Sequence, residues 1–222
     1  MPTRPRFAAA GSPRYAIFVA VMAVVLILSN IGASKGVEFG GIITDGGFFL
    51  FPLAYILGDV VSEVYGFRAS RVAIFTSFGL SVFASLCYWI IIALPGASFY
   101  EGQDALAATL GPVPQIVLAS LLGFLCGQTI NAWIMTRMKL RSGEKRLWAR
   151  LMGSTGVGEF VDTLVFCTIA AGVIGITTFG DFLNYLIVGF LYKTLVEYLF
   201  VPVTSLVIAW VKRSEPTYGE VA

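Results

Sequence analysis

Windows of roughly 20 apolar residues, each long enough to cross a ~30 Å hydrocarbon layer as a helix, recur six times, near 14–33, 48–65, 71–94, 114–136, 151–176 and 182–211. No feature constrains the fold more. Inside lipid the backbone must satisfy its own hydrogen bonds, and a continuous apolar run of this length does so as a helix. Of 222 residues, 57% are hydrophobic and 13% charged, about half the charge of a soluble domain. The reading is an all-α membrane protein, one domain over 1–222 with six transmembrane helices, short connections and no linker or internal repeat. MPTRPRFAAAGSPR and its apolar run resemble a signal peptide, but the run is long and no AxA-type site follows, so a retained first helix is expected.

Basic residues orient the bundle. Arg4, Arg6 and Arg14 precede the first window, and Arg68 and Arg71 join the second to the third. Arg137, Lys139, Arg141, Lys145, Arg146 and Arg150 join the fourth to the fifth, and Lys212 and Arg213 follow the sixth. All fall on one side. The other side holds Lys35 beside Glu38, Asp45, Glu101, Asp104 and Asp181. By the positive-inside rule both termini are cytoplasmic.

Several chemistries are excluded. The chain has no histidine, which removes Ser-His and HExxH catalysis. Cys87, Cys126 and Cys167 each stand alone in an apolar run and read as small hydrophobes. GSTGVGE lacks the Lys-Ser/Thr of a phosphate loop, and a GxGD protease motif would need glycine where Ile56 stands. No enzyme, metal site, cofactor or nucleic-acid partner is expected.

Against this background GDVVSEVYGFRASR is anomalous, because Asp59 and Glu63 share a helix face inside an apolar window. Glu159/Asp162 and Lys193/Glu197 repeat the pattern. At 1.5 Å per residue Asp59, Asp162 and Lys193 lie roughly 16 Å deep and Glu159 roughly 12 Å. Gln128 and Asn131 fall in the cytoplasmic half of the fourth window. Each ionisable group at the bilayer centre costs about 2.5–3.5 kcal/mol on insertion scales, so three polar faces at one depth point to a shared polar site. Narrower readings stand beside it. Glu63 at the rim can pair with Arg68 or Arg71, Lys193 and Glu197 can form an intrahelical ion pair, and Asp59 and Asp162 can fix helix packing. Gly153, Gly156 and Gly158 either interrupt the fifth helix at a cavity or admit a close neighbour; Gly123 and Gly127 read as packing, and Pro202 as a kink.

GDVVSEVYGFRASR, GQTINAW, GEFVDTLVF and YKTLVEYLFVP together resemble the queuosine-precursor transporters of the vitamin uptake transporter family, from about residue 28 to 203. The resemblance implies uptake across the inner membrane of 7-cyano-7-deazaguanine or its aminomethyl analogue, for tRNA queuosine modification. It also implies a fold related to the substrate-binding components of energy-coupling-factor importers. A deazaguanine presents a ring N–H and an exocyclic amine side by side, and one carboxylate can accept both; Glu159 or Asp162 is the candidate. Gln128 and Asn131 would reach the carbonyl or ring nitrogens, and Lys193, held by Glu197, the carbonyl. Tyr65, Phe160, Trp133 and Tyr192 are candidates to sandwich the ring. Asp59 and Glu63, with Glu197, would line the pocket or serve as its coupling and gating element. Five buried carboxylates against one lysine require protonation, or pairing with rim arginines such as Arg68, Arg71 or Arg137, so a proton-responsive element is open. The alternative is a substrate-binding subunit for another vitamin-like molecule that depends on an external ATPase module. The expected partners are the base and the lipid bilayer, with a homodimer left open.

Overall fold

The computed structural model describes residues 6–32, 35–39, 42–47, 49–111, 114–174 and 177–219. Arg4, position 33, position 48 and positions 175–176, at the ends of three predicted windows, lie outside them. The helices are α1 (Pro13–Gly32), α2 (Phe51–Ala93), α3 (Gln103–Leu110), α4 (Pro114–Ser142), α5 (Leu147–Ile174) and α6 (Phe179–Ser214). An antiparallel hairpin, β1 (Gly36–Phe39) with β2 (Ile42–Asp45), joins α1 to α2 and pairs Gly36 with Asp45. Neither the hairpin nor α3 was expected from the apolar windows.

Local chemistry sets the boundaries. Pro13 opens α1, where its missing N–H costs nothing, and the Ser12 hydroxyl accepts from the Tyr15 N–H at 3.2 Å as a helix cap. The predicted second and third windows merge in α2, whose 43 residues would measure about 64 Å straight, twice a hydrocarbon core. They break at Gly66, with φ 80° and ψ 177°, a conformation essentially reserved for glycine. A Cβ there would also stand 3.2 Å from the Phe7 ring. The break diverts the Val64 carbonyl to the Ala8 N–H at 2.9 Å. Residues 51–65 and 67–93 are thus two rods joined at one residue.

The fourth and fifth windows extend beyond their predicted ends. α4 continues through Arg137, Lys139 and Arg141, and α5 starts at Leu147, so four residues separate them. Gly143 and Arg146 both take φ 59° to make that turn. α5 runs unbroken through Gly153, Gly156 and Gly158, and α6 through Pro202. The α5 glycines therefore do not interrupt the helix. A Cβ on Gly158 would meet the Asn131 Cβ at 2.8 Å and one on Gly127 the Gly158 carbonyl oxygen at 2.7 Å, so here the glycines bring α4 and α5 into backbone contact.

Burial is inverted relative to a water-soluble protein. Leu199, Leu206, Trp89 and Trp210 are exposed, whereas Asp59, Glu63, Gln128, Asn131, Glu159 and Asp162 are buried. An apolar exterior around a polar interior suits lipid. Among the described residues, four helical segments, Pro13–Gly32, Pro52–Ala93, Leu118–Ser142 and Phe182–Ser214, are long and apolar enough to cross a membrane.

Candidate functional site

The polar interior forms two groups along the first rod of α2. The first surrounds Tyr55 and Asp59, one turn apart on one face. Asn131 on α4 donates through Nδ2 to Asp59 Oδ1 at 2.6 Å, and Gln128 donates through Nε2 to the Ala54 carbonyl at 3.4 Å. Gly58 makes room for Gln128, since a Cβ there would stand 2.4 Å from its Oε1. Thr155 of α5 lies against Asp59. Glu159 lies one turn further along α5, beside the Tyr55 hydroxyl and Glu197 of α6. Asp162 is seated against Gly123, where a Cβ would come within 2.5 Å of its Oδ1. Its Oδ2 receives Lys193 Nζ at 2.7 Å.

The satisfaction of these groups is uneven. Asp162 has its lysine and Asp59 its amide. Both oxygens of Glu159, Oε1 of Glu197 and Oδ1 of Asn131 are buried without a well-formed hydrogen bond among the described residues. Most such groups in folded proteins have partners. These acceptors gather in one buried layer, beside the Tyr55 hydroxyl.

The second group lies near the α4–α5 turn. The Arg150 guanidinium grips Glu63 in a fork, with Nη2–Oε1 at 2.6 Å and Nε–Oε2 at 3.1 Å. It also donates to Ser142 Oγ and to the carbonyls of Gly143 and Lys145. Lys212 reaches Glu63 at 2.7 Å and Glu144 at 2.6 Å, and Lys139 reaches both carboxylates at 3.4 Å. The side chains of Glu63, Lys139 and Arg150 are fully buried. Burial alone would raise the Glu144 carboxyl, but the Lys212 hydrogen bond and the charges of Lys139 and Lys212 pull it down to about 2. Burial and the Glu144 carboxylate push the Tyr218 phenol up.

Both tails close over this group. The Phe7 ring sits 4.7 Å from Lys139 Nζ, the Gly219 N–H donates to the Phe7 carbonyl at 3.0 Å, and the Ala9 N–H to Thr217 Oγ1 at 3.1 Å. Tyr65 and Ser12 donate to the Glu215 carboxylate, each at 3.0 Å. These and the Thr217 hydrogen bond hold the Glu215 carboxyl below its ordinary value, although burial opposes them.

The structure brings together Asp59, Gln128, Asn131, Glu159, Asp162, Lys193 and Glu197. Tyr65 belongs instead to the tail closure. Phe160, Trp133 and Tyr192 are 44%, 50% and 40% exposed, and Phe160 stacks edge-on with Phe190; these three stand outside the buried cluster. Glu63 pairs with Arg150, Lys139 and Lys212, not with Arg68 or Arg71, since the second rod carries those arginines past the break. Asp162, which has no nearby cation in sequence, gains Lys193 from α6. Sequence reasoning missed Tyr55 and Thr155, although each lies four residues before a carboxylate already singled out. It also missed Arg150 as a counter-ion, for which no local signal exists.

A family model described as Putative vitamin uptake transporter matches residues 45–207. The "Probable queuosine precursor transporter" of Bacillus subtilis (strain 168) is 27% identical over 177 residues, covering 79% of this chain and 76% of the relative. The "Queuosine precursor transporter" of Escherichia coli (strain K12) is 28% identical over 147 residues, or 66% of this chain and 64% of that protein. No solved structure matches.

Proposed function

We propose, from the premise that the chain belongs to this vitamin uptake transporter family, that it imports queuosine precursors, 7-deazaguanine bases, across the inner membrane. The names of the two relatives support this substrate. The observation that carries the reading to particular residues is the cluster of buried acceptor oxygens on Glu159, Glu197 and Asn131 that make no well-formed hydrogen bond among the described residues. A deazaguanine offers its ring N–H and amino group as adjacent donors, and a carboxylate accepts such a pair bidentately. Glu159 is the better candidate for this role, because Asp162 is already engaged by Lys193. Asn131 and Gln128 stand one turn apart on α4 to take the other edge of the ring.

Among the described residues Asp59, Glu159, Asp162 and Glu197 confront one cation, Lys193, in this layer, and this acidic excess supports proton coupling, with Asp59 as the carrier. Cells lacking their own synthesis of the base should accumulate labelled 7-cyano-7-deazaguanine only when the protein is present. Uncouplers should abolish accumulation, and Asp59→Asn should exchange label across the membrane without concentrating it. Uptake that ignores both pH and uncouplers overturns the coupling. Uptake unchanged by the protein overturns the transport reading.

We place both termini, and with them the Glu63 group, in the cytoplasm on the strength of the basic-residue asymmetry. Ser98, past the end of α2, and Ala149, in the first turn of α5, are both exposed. In a chain otherwise free of cysteine, Ser98→Cys should react with an impermeant thiol reagent added outside intact cells, and Ala149→Cys should not. The reverse pattern would invert the topology.

A further inference from the structure

The second rod of α2 begins with Arg68 and Arg71 on one face. With Val72, Phe75 and Thr76, all on the same helix face, they line a shallow, open groove of about 520 Å³. Among the described residues neither arginine takes part in an ion pair, although the Arg71 guanidinium rests 5.8 Å from the centre of the Phe67 ring. Both are exposed. The helix restarts after the Gly66 break, so two cations sit at its positive end, the unfavourable end for them unless an anion is near. One turn further, Val72 and Phe75 are 59% and 51% exposed and continue the groove away from the basic end. Charge at one end and apolar surface along the rest match the two parts of one molecule.

We propose that this groove is a binding site for an anionic phospholipid, whose headgroup phosphate is held by Arg68 and Arg71 and whose acyl chain lies on Val72 and Phe75. Guanidinium forks suit phosphate oxygens, and basic residues beside the cytoplasmic end of a membrane helix attract anionic headgroups. The Phe67 face keeps the Arg71 fork extended. The Thr76 hydroxyl lies at the apolar end, within reach of an ester carbonyl. The site is separate from the buried carboxylate cluster and does not depend on which substrate is carried.

Native mass spectrometry of the purified full chain, titrated with dioleoyl phosphatidylglycerol or dioleoyl phosphatidylcholine, tests this. Wild type should retain the first phosphatidylglycerol in preference to phosphatidylcholine. R68Q/R71Q should weaken that first binding about twenty-five-fold, at about fivefold for each arginine near the surface. R137Q/R141Q, which removes the same charge elsewhere on the basic end, should leave it unchanged. R68K/R71K keeps the charge that guides insertion and should bind several-fold more weakly, because lysine has no fork. Equal loss in the two glutamine variants, or full affinity in the lysine variant, would reduce the groove to diffuse surface charge and overturn the proposal. Displacement of the lipid by millimolar inorganic phosphate would reassign the groove to a free anion.

Discussion

Glu63→Gln should destabilise the protein by about 3–5 kcal/mol, the scale for removing one partner from a buried ion pair. The side chains of Arg150 and Lys139 are fully buried and the Glu63 carboxylate is their shared acceptor. Glutamine keeps one acceptor oxygen but cancels the charge and turns an N–H₂ toward cations, so the fork cannot reform. Lys212 and Lys139 retain Glu144, which is partly exposed and offsets little of the loss. Thermal denaturation in detergent should register the change as a large fall in Tm, together with a low yield of folded protein. Arg150→Met should be destabilising too, but less so, because Lys139 and Lys212 remain beside Glu63. A cost below about 1 kcal/mol for Glu63→Gln would place the ion group on the scale of a surface contact.

The opposite balance holds at Glu159. Its carboxylate makes no well-formed hydrogen bond among the described residues, so Glu159→Gln should leave Tm nearly unchanged. Uptake should fall sharply. The amide brings a donor to face the donors of the base, and a buried donor left unpaired costs about 1–3 kcal/mol, or roughly 5- to 150-fold in apparent affinity. Initial rates over a range of labelled base, set against the amount of protein in the membrane, measure it. Asp162→Asn weakens the Lys193 contact and should lower Tm as well as transport, which separates the two acidic residues. Unimpaired uptake in Glu159→Gln would remove this carboxylate from the recognition site.

The parts legible in the sequence were those with a short-range signature. Apolar windows located the long helices, and one-turn spacing put Asp59, Glu159 and Asp162 on inward faces. The same spacing would have added Tyr55 and Thr155. What escaped was pairing between distant segments. Arg150 lies in a basic stretch that reads as a solvated turn, and its partner Glu63 is 87 positions away. The Gly66 break was hidden because glycine between Tyr65 and Phe67 is compatible with a helix, a cap or a turn. The exposed positions of Trp133, Phe160 and Tyr192 were equally unreadable, since aromatic residues suit lipid as well as they suit a flat ligand. The substrate came from resemblance to a family, because no spacing of carboxylates encodes a deazaguanine.

The break at Gly66 bears on how such a protein is made. Two rods that meet at one residue present the insertion machinery with a single stretch of 43 residues and no loop to divide them. Under the proposed topology, the residues that orient this stretch are Arg68 and Arg71, just past its first rod. The first rod, which carries Tyr55, Asp59 and Glu63, therefore emerges from the ribosome before the charges that retain its inner end. Its carboxylates wait longer still for Asn131 and Arg150, which are synthesised later. Until then the most polar helix face of the protein has no permanent neighbour, and biogenesis must shelter it.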